Sequence, residues 1–159
     1  MDMLLKLLRE NALETPENLA RMLNTTVEAV KSKIADYEKT GIIRGYQAIV
    51  NEDQLPLSRV RAFIEVRITP ERHGGFDRIA QRIGKFPEVE SVFLMSGAYD
   101  LLVLVRGHDL REAAFFVSEK LATIEGVVST ATHFMLKTYK DQGVSMMQEK
   151  DHERLSVSP

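Results

Sequence analysis

Residues 87–105 read PEVESVFLMSGAYDLLVLV, two apolar runs joined by a turn that contains Gly97. VFLM (92–95) and LLVLV (101–105) are apolar at successive positions, so both faces of the strands they form are apolar. Short apolar runs bounded by turn residues are typical of buried strands. The stretch therefore predicts two adjacent antiparallel strands inside a sheet that is covered on both faces.

The sequence on either side of this hairpin completes a domain over residues 60–140. VRAFIEVRIT (60–69) alternates as a strand, and VVSTATHFMLKTYK (127–140) reads as a long last strand. A helix over 74–87 and a second helix from Asp109 to Gly126 lie between the strands. The order is βαββαβ, so we expect a ferredoxin-like domain in an α+β protein.

The second face of this sheet needs a cover. Both helices of a βαββαβ domain pack on the same face, so the other face of a monomer should be polar. Here the two central strands are apolar on that face as well. A second copy of the chain is the commonest cover, and the small N-terminal region is the alternative. We therefore expect a homodimer or a larger homo-oligomer, with dimer and octamer left open.

Residues 1–52 predict a separate domain that begins with two short helices. The first helix covers 2–10, where leucines recur at four positions. The second helix has Thr15 as its N-cap and Pro16 at its first position. Asn24 can take the left-handed conformation that ends it.

A third helix and a hairpin follow. The helix begins at Thr25, which has capping-box spacing to Glu28, or at Thr26, and it ends at Gly41. IIRGYQAIV (42–50) reads as two short strands. Two helices joined by a short turn and followed by a hairpin predict a winged helix-turn-helix. We expect a linker over 53–59 and a polar, mobile tail over 141–159.

The third helix carries the candidate DNA contacts. Its buried face accounts for Val27, Val30, Ile34 and Tyr37. The remaining candidates are Thr26, Glu28, Ala29, Lys31, Ser32 and Lys33, together with Arg44 from the hairpin. Serine and threonine hydroxyls bind phosphate, and lysine binds phosphate or guanine. We therefore expect double-stranded DNA as the partner, and a three-helix protein-interaction domain is the alternative.

Bulk charge does not favour DNA binding. The whole chain carries −2, and residues 1–55 hold 7 Lys and Arg against 9 Asp and Glu, which also gives −2. Phosphate neutralisation by Lys and Arg supplies most non-specific affinity for DNA. The acidic N-terminal domain keeps open a second reading, an oligomeric metabolite-sensing or protein-interaction module that does not bind DNA.

The turn over residues 97–100 is the second candidate site. Gly97 allows positive φ and a close approach to the backbone. Exposed N–H groups in such a turn can hold a carboxylate, and Asp100 can pair with an α-ammonium group. A free amino acid carries both charges, and the alternative is a plain hairpin turn.

Composition argues against several other functions. The absence of cysteine excludes disulfides and thiolate nucleophiles. The four histidines, His73, His108, His133 and His152, share no metal-ligand spacing. No nucleophile–base set indicates an enzyme, and no apolar run is long enough to span a membrane. We expect no metal or cofactor, no signal peptide and a cytoplasmic location. An RNA-recognition motif shares the βαββαβ order, but its third strand stacks bases on aromatic residues, which DLLVLVRG (100–107) lacks.

Three separated segments resemble the Lrp/AsnC, or feast/famine, family. YEKTGIIRGYQAIVN (37–51) resembles that family's leucine–glutamate–x–x–glycine–valine–isoleucine–x–glycine–tyrosine segment. Residues 97–100 carry its glycine–x–tyrosine–aspartate turn, and IEGVVSTATHFMLK (124–137) is similar to its last strand. The resemblance covers residues 2–140 in the family's order.

This resemblance implies a sequence-specific DNA-binding transcriptional regulator that responds to an amino acid or a related small metabolite. In the family the turn borders the effector site, where dimers meet. The resemblance carries that role to Gly97, Ala98, Tyr99 and Asp100, and to Thr130 and Thr132 of the last strand.

Overall fold

The computed structural model describes residues 2–56, 59–70 and 75–147. It divides into two compact units between Val50 and Asn51. His73, His152 and the part of the predicted tail over 148–159 lie outside the described residues. A 3-10 turn at Glu52–Gln54 lies at the start of the segment that the sequence assigned to a linker.

The N-terminal unit contains three helices, α1 (Met3–Glu10), α2 (Pro16–Met22) and α3 (Val27–Lys39). The side chains of Asp2, Thr15 and Thr26 cap them and accept hydrogen bonds from the backbone N–H groups of Leu4, Asn18 and Ala29, respectively. Thr26 therefore caps α3, and the Thr25 alternative is wrong. The reason is that the N–H of Thr25 donates to Ala20 O at 2.9 Å and still belongs to the turn after α2.

The three helices enclose a small core, to which each contributes residues from one face. Its buried members are Leu4, Leu8, Leu19, Ala20, Val30 and Tyr37. Asn24 has φ 50°, the left-handed conformation that the sequence predicted between α2 and α3. The turn between α2 and α3 is therefore short. The apolar side of α3 packs on the core, and its other side faces solvent.

The predicted wing is wrong for this structure. Within 42–50 the chain forms no strand, and most of its side chains are exposed. Neither Arg44 nor Gly45 has the positive φ that a two-residue hairpin turn uses, so the chain does not reverse there. The segment is attached to α3 at two points: the N–H of Ile43 donates to Tyr37 O at 3.0 Å, and the hydroxyl of Tyr46 donates to Glu38 Oε1.

The C-terminal unit is a ferredoxin-like sheet with helices on one face. The four strands lie in the order β2–β3–β1–β4, and every neighbouring pair is antiparallel. The elements are β1 (Val60–Ile68), α4 (Asp77–Ile83), β2 (Val89–Leu94), β3 (Leu101–Gly107), α5 (Leu110–Phe115) and β4 (Val127–Phe134). The predicted βαββαβ order is confirmed.

One face of this sheet forms the core with the helices. Alternate residues of β1 and β3 point to this face and are buried, as the period of two predicts. The core residues are Ala62, Ile64, Val66, Ile68, Ile79, Ile83, Leu101, Val103, Val105, Phe116, Leu121 and Ile124. Gly126 has φ 94°, a conformation that favours glycine, and a Cβ there would also lie 2.6 Å from Ile79 Cδ1.

The predicted second helix and the predicted last strand both differ in extent from the prediction. The predicted helix Asp109–Gly126 is α-helical only in α5 and continues as a π-helical turn over Phe116–Leu121. β4 ends at Phe134 rather than at residue 140, because β1 begins at Val60 and its pairing with β4 ends at Ala62, with one further bond from Met135 N to Arg61 O.

Residues of the predicted tail form a small hairpin instead. β5 (Lys140–Asp141) pairs with β6 (Val144–Ser145). Gln142 and Gly143 between them have φ 45° and 92°, the positive values that two-residue hairpin turns use. The segment that the sequence assigned to a tail therefore begins with a hairpin, whose turn the Gln-Gly pair supplies.

Candidate functional sites

The outer surface of α3 displays most of the predicted DNA contacts. Glu28, Lys31 and Ser32 are exposed and make no side-chain hydrogen bond or ion pair within the part of the chain that the structure describes. Ala29 is also exposed, and its N–H is taken by the Thr26 hydroxyl at 3.2 Å. This surface is therefore open to a partner along its first two turns.

Lys33 stands apart from these residues. Its Nζ lies 2.5 Å from Asp2 Oδ2 and 6.0 Å from the centre of the Tyr37 ring. The hydrogen bond to Asp2 raises the pKa of Lys33, and the same bond lowers the pKa of Asp2. Lys33 thus joins α3 to the cap of α1, and its charge is shared with a carboxylate.

Asp2 is a positioning residue that the sequence analysis missed. It caps α1 through Leu4 N at 2.8 Å while it holds Lys33. An aspartate directly before an apolar helical run is a recognised N-cap signal, so the capping role could have been predicted. The ion pair depends on how α1 and α3 pack, which the sequence pattern does not specify.

Arg44 lies in the segment that follows α3 and is exposed. Two residues later, the hydroxyl of Tyr46 donates to Glu38 Oε1 at 2.9 Å, which attaches the segment to the last turn of α3. Partial burial, followed by the hydrogen bond to Glu38, raises the pKa of Tyr46. The cation of Arg44 therefore lies near the C-terminal end of α3 rather than on a β-wing.

The turn between β2 and β3 brings the four predicted effector residues of the hairpin together. Gly97 has φ 145°, and no described atom lies within 4 Å of the position that a Cβ would occupy. Gly97 and Ala98 are exposed, while Tyr99 and Asp100 are half-buried. The backbone of the turn is thus accessible from outside at its glycine.

Asp100 supports the backbone of the neighbouring strand. Its Oδ2 accepts a hydrogen bond from the N–H of Ile68 at 2.8 Å, next to a shift of register between Arg67 and Ile68. Its own N–H donates to Val66 O at 3.0 Å, and its carbonyl accepts from Met95 N at 2.8 Å. One carboxylate oxygen of Asp100 is therefore engaged in structure, and Oδ1 is left for another donor.

The backbone N–H groups of residues 96–99 are unpaired. None of the four donates a hydrogen bond within the described part of the chain. They precede Asp100, so several donors and one anionic acceptor meet in one short turn. This is the arrangement that can hold the carboxylate and the ammonium of a zwitterion at once.

Thr130 and Thr132 lie on β4, away from this turn. Thr130 pairs with Val66 and Thr132 with Ile64 of β1, so β1 separates both threonines from the turn. Two strand spacings make about 10 Å between the backbones of Asp100 and Thr130, and Thr132 is farther still. Both threonines belong to the helix-covered side of the sheet, as their partners Ile64 and Val66 do.

The other face of the sheet has an apolar centre. Phe63 is paired with Leu104, and Leu102 lies between Glu65 and Phe93, so all five point to the face opposite the helices. Phe93 is 50% exposed, Phe63 and Leu102 are half-buried, and Leu104 is buried. We call the surface formed by Phe63, Phe93, Leu102 and Leu104 the open sheet face.

Pairs of polar and charged side chains border the open sheet face at both sides. His133 Nε2 lies 3.3 Å from Glu65 Oε1 on β4 and β1. Arg61 and Arg106 face each other across β1 and β3, and Glu90 bridges both guanidinium groups, with Glu52 3.0 Å from Arg106 Nη2. The centre is thus apolar and the border charged, as in many protein–protein interfaces.

The described residues contain no group of three or more His, Asp or Glu that could hold a metal ion. Within them, no helix is long and apolar enough to cross a membrane.

Comparison with known proteins finds relatives that cover both units. The Lrp/AsnC ligand binding domain matches residues 61–145. The HTH-type transcriptional regulator YugG of Bacillus subtilis is 44% identical over 157 residues, which cover 98% of this chain and 95% of that protein. The proline dehydrogenase transcriptional activator of Rhodobacter capsulatus is 29% identical over 124 residues, 78% of this chain and 80% of that protein.

A solved structure is also similar over most of the chain. It is the complex of the transcriptional regulator NMB0573 of Neisseria meningitidis with L-Met, at 26% identity and a TM-score of 0.70, and the match covers 91% of this chain and 95% of that one. The similarity therefore extends through the N-terminal helices as well as the sheet.

Proposed function

The chain belongs to the Lrp/AsnC family of transcriptional regulators, and we propose that it binds double-stranded DNA as a homo-oligomer whose state depends on a free amino acid bound at residues 97–100. The observation that carries the sensing part is the run of four unpaired N–H groups beside Asp100. Each part of the proposal rests on a different surface.

DNA binding is assigned to α2 and α3. α3 follows α2 after a turn of four residues, and its outer side is exposed, which is the geometry of a recognition helix that enters the major groove. Lys31 and Ser32 are free to contact DNA, and Arg44 adds a cation from the segment after α3. The few cations per chain favour binding by two copies to a pseudo-palindromic site.

Assembly is assigned to the open sheet face. Phe93 is half-exposed on this apolar face. Exposed apolar patches with a polar rim mark interfaces. A second copy would place the same group against itself about a two-fold axis. The charged residues at the border would then set the register of the two sheets.

Effector binding is assigned to the turn. The N–H groups of 96–99 would hold the carboxylate of an amino acid, and Asp100 Oδ1 would accept from its ammonium group. The L-Met complex of the similar Neisseria regulator supports an amino acid as the ligand class. A site completed by a neighbouring dimer would couple ligand binding to assembly, since the ligand favours the oligomer that completes the site.

Calorimetric titration of the twenty amino acids, run alongside sedimentation, tests the sensing proposal. We expect one or a few amino acids to bind and to change the sedimentation coefficient. A selection of DNA sites from random oligonucleotides tests the DNA part. Absence of any amino-acid binding would refute the sensor, and absence of an enriched site would refute DNA reading.

A further inference from the structure

One row of exposed positions on α3 carries two carboxylates and no cation. Glu28, Ser32 and Asp36 are spaced four residues apart, so they form one row along the helix. All three are exposed, and neither carboxylate forms an ion pair within the described residues. A helix that approaches DNA with this row brings two anions toward a polyanion, so each carboxylate must lie away from the phosphates or find a donor.

Of the two carboxylates, that of Glu28 is placed where it can meet a hydrogen-bond donor on the DNA. Thr26 is the N-cap, so Glu28 is the second residue of α3. In helix-turn-helix proteins the N-terminal residues of the recognition helix reach the base edges. Asp36 lies eight residues further on, about 12 Å along the helix axis, where contact with the same bases is out of reach.

The carboxylate of Glu28 is available because α3 is capped without it. The sequence offered a capping box between Thr25 and Glu28, but the hydroxyl of Thr26 accepts from Ala29 N instead. Glu28 therefore has no capping hydrogen bond within the described chain. Its side chain can extend toward a ligand without any loss of a bond inside the protein.

The edges of the bases determine which donor it meets. In the major groove, amino groups are presented by N4 of cytosine and by N6 of adenine. Adenine presents the acceptor N7 next to its amino group, which repels a carboxylate, whereas cytosine presents its amino group alone. Guanine and thymine present acceptors toward the groove. A carboxylate at this position is therefore complementary to cytosine.

We propose that Glu28 is a specificity-determining residue that accepts a hydrogen bond from the N4 amino group of a cytosine in each half-site. This inference rests on the proposed function, in which α3 enters the major groove. The cations of Lys31 and Arg44 then bind the DNA phosphates, and the preference for cytosine at one position of the half-site depends on the carboxylate of Glu28. Glu28 thereby lowers the affinity for DNA in general while it raises selectivity.

Selection from random oligonucleotides with the full chain tests the assignment. Three proteins are compared: the wild type, Glu28→Gln, and Asp36→Asn as the matched control on the same row. Glutamine pairs with the N6 and N7 of adenine, so Glu28→Gln should change one position of the enriched half-site from cytosine to adenine. Asp36→Asn should keep the cytosine and bind all sequences more tightly, since it removes only repulsion.

Binding constants for the selected site and its single-base variant complete the test. In the wild type, replacement of the cytosine should weaken binding about tenfold or more, and in Glu28→Gln that discrimination should vanish or reverse. Glu28→Ala, which can neither accept nor repel, should tolerate all four bases at that position.

The outcomes separate this inference from the function beneath it. If the wild type enriches no sequence, the DNA-reading proposal fails and the role of Glu28 with it. If the wild type enriches a site but Glu28→Gln enriches the same one, DNA reading stands and the role of Glu28 is refuted. A change in overall affinity alone, equal to that of Asp36→Asn, also refutes it.

Discussion

The outer side of α3 and the turn at residues 97–100 are both exposed, but they differ in what is free to bind. Within the described residues, the side chains of Glu28, Lys31 and Ser32 on α3 form no hydrogen bond or ion pair, while the backbone is hydrogen-bonded within the helix. At the turn the reverse holds. The backbone N–H groups of residues 96–99 donate to no acceptor in the described part of the chain, and the side chain of Asp100 accepts from the N–H of Ile68.

This difference decides how each site can vary. In the proposed function, replacing an exposed side chain on α3 would change what the helix reads and leave the three-helix core intact, because the core uses the opposite side of α3. Replacing Asp100 changes the sheet as well as the site. The α3 surface is therefore easily re-targeted, whereas the turn is suited to the features that all amino acids share.

The largest effect should come from a substitution on the open sheet face. In the proposed function this face joins two copies, and both DNA binding and effector binding depend on that assembly. We expect Phe93→Glu to convert the oligomer into a monomer and to weaken DNA binding on the order of 100-fold, because the two half-sites are no longer linked. Sedimentation and DNA titration measure both. Phe115→Glu is the control, since Phe115 is 57% exposed but lies on α5. An oligomer that survives Phe93→Glu and is lost with Phe115→Glu would move the interface to the helices.

Asp100 offers a direct test of the shared use of one side chain. Asp100→Ala should lower the free energy of unfolding by about 1–3 kcal/mol, since the half-buried N–H of Ile68 loses its acceptor. Asp100→Asn keeps an acceptor for that N–H and should remain close to wild type in denaturant titrations. Both variants should lose affinity for the amino acid in calorimetry. Full binding by Asp100→Asn would show that the negative charge is not used.

The sequence predicted the sheet well because its evidence is local and repeated. Alternation in β1 and the apolar runs of β2 and β3 specify strands and faces, and their order leaves few topologies. The limits of elements were harder. β4 ends where β1 ceases to pair, and the π-helical turn at Phe116–Leu121 arises from packing, neither of which is a local property.

At the candidate sites, the sequence predicted the types of residue but not the hydrogen bonds and ion pairs that they form. The turn residues are together because they are consecutive, whereas Thr130 and Thr132 were assigned by resemblance and lie one strand beyond β1. Lys33 reads like Lys31 in the sequence, and only the packing of α1 against α3 distinguishes them. The predicted wing is wrong because Arg44 and Gly45 do not adopt the positive φ values of a two-residue hairpin turn, which Gln142 and Gly143 do adopt.

The two lysines of α3 give a smaller effect with a clear sign. Lys31→Ala should weaken DNA binding and lower the slope of log affinity against log salt by about 1, because a free cation leaves a phosphate. Lys33→Ala should change the salt slope less, since Asp2 already neutralises its charge, and should lower the melting temperature instead. Equal slopes for the two variants would mean that Lys33 leaves Asp2 when DNA binds.

The smallest effect concerns the pH dependence of the Asp2–Lys33 pair. The bond to Lys33 lowers the pKa of Asp2, so its stabilisation is present above the ordinary aspartate value, about pH 4, and is lost as pH falls through the lowered value. The bond to Asp2 raises the pKa of Lys33, so that stabilisation is present below about pH 10 and is lost as pH rises through the raised value. Both groups are fully charged between these limits, and the pair should contribute a constant amount there.

Asp2→Asn keeps an acceptor for the N–H of Leu4 and removes the charge, so it isolates the ion pair from the cap. The melting temperature of the wild type should exceed that of Asp2→Asn by a small, constant margin from pH 5 to pH 9, and the two should converge in acid. A margin that persists below the pKa of the carboxyl would assign the stabilisation to the cap and leave Lys33 as free as Lys31, which would remove the difference between the two lysines.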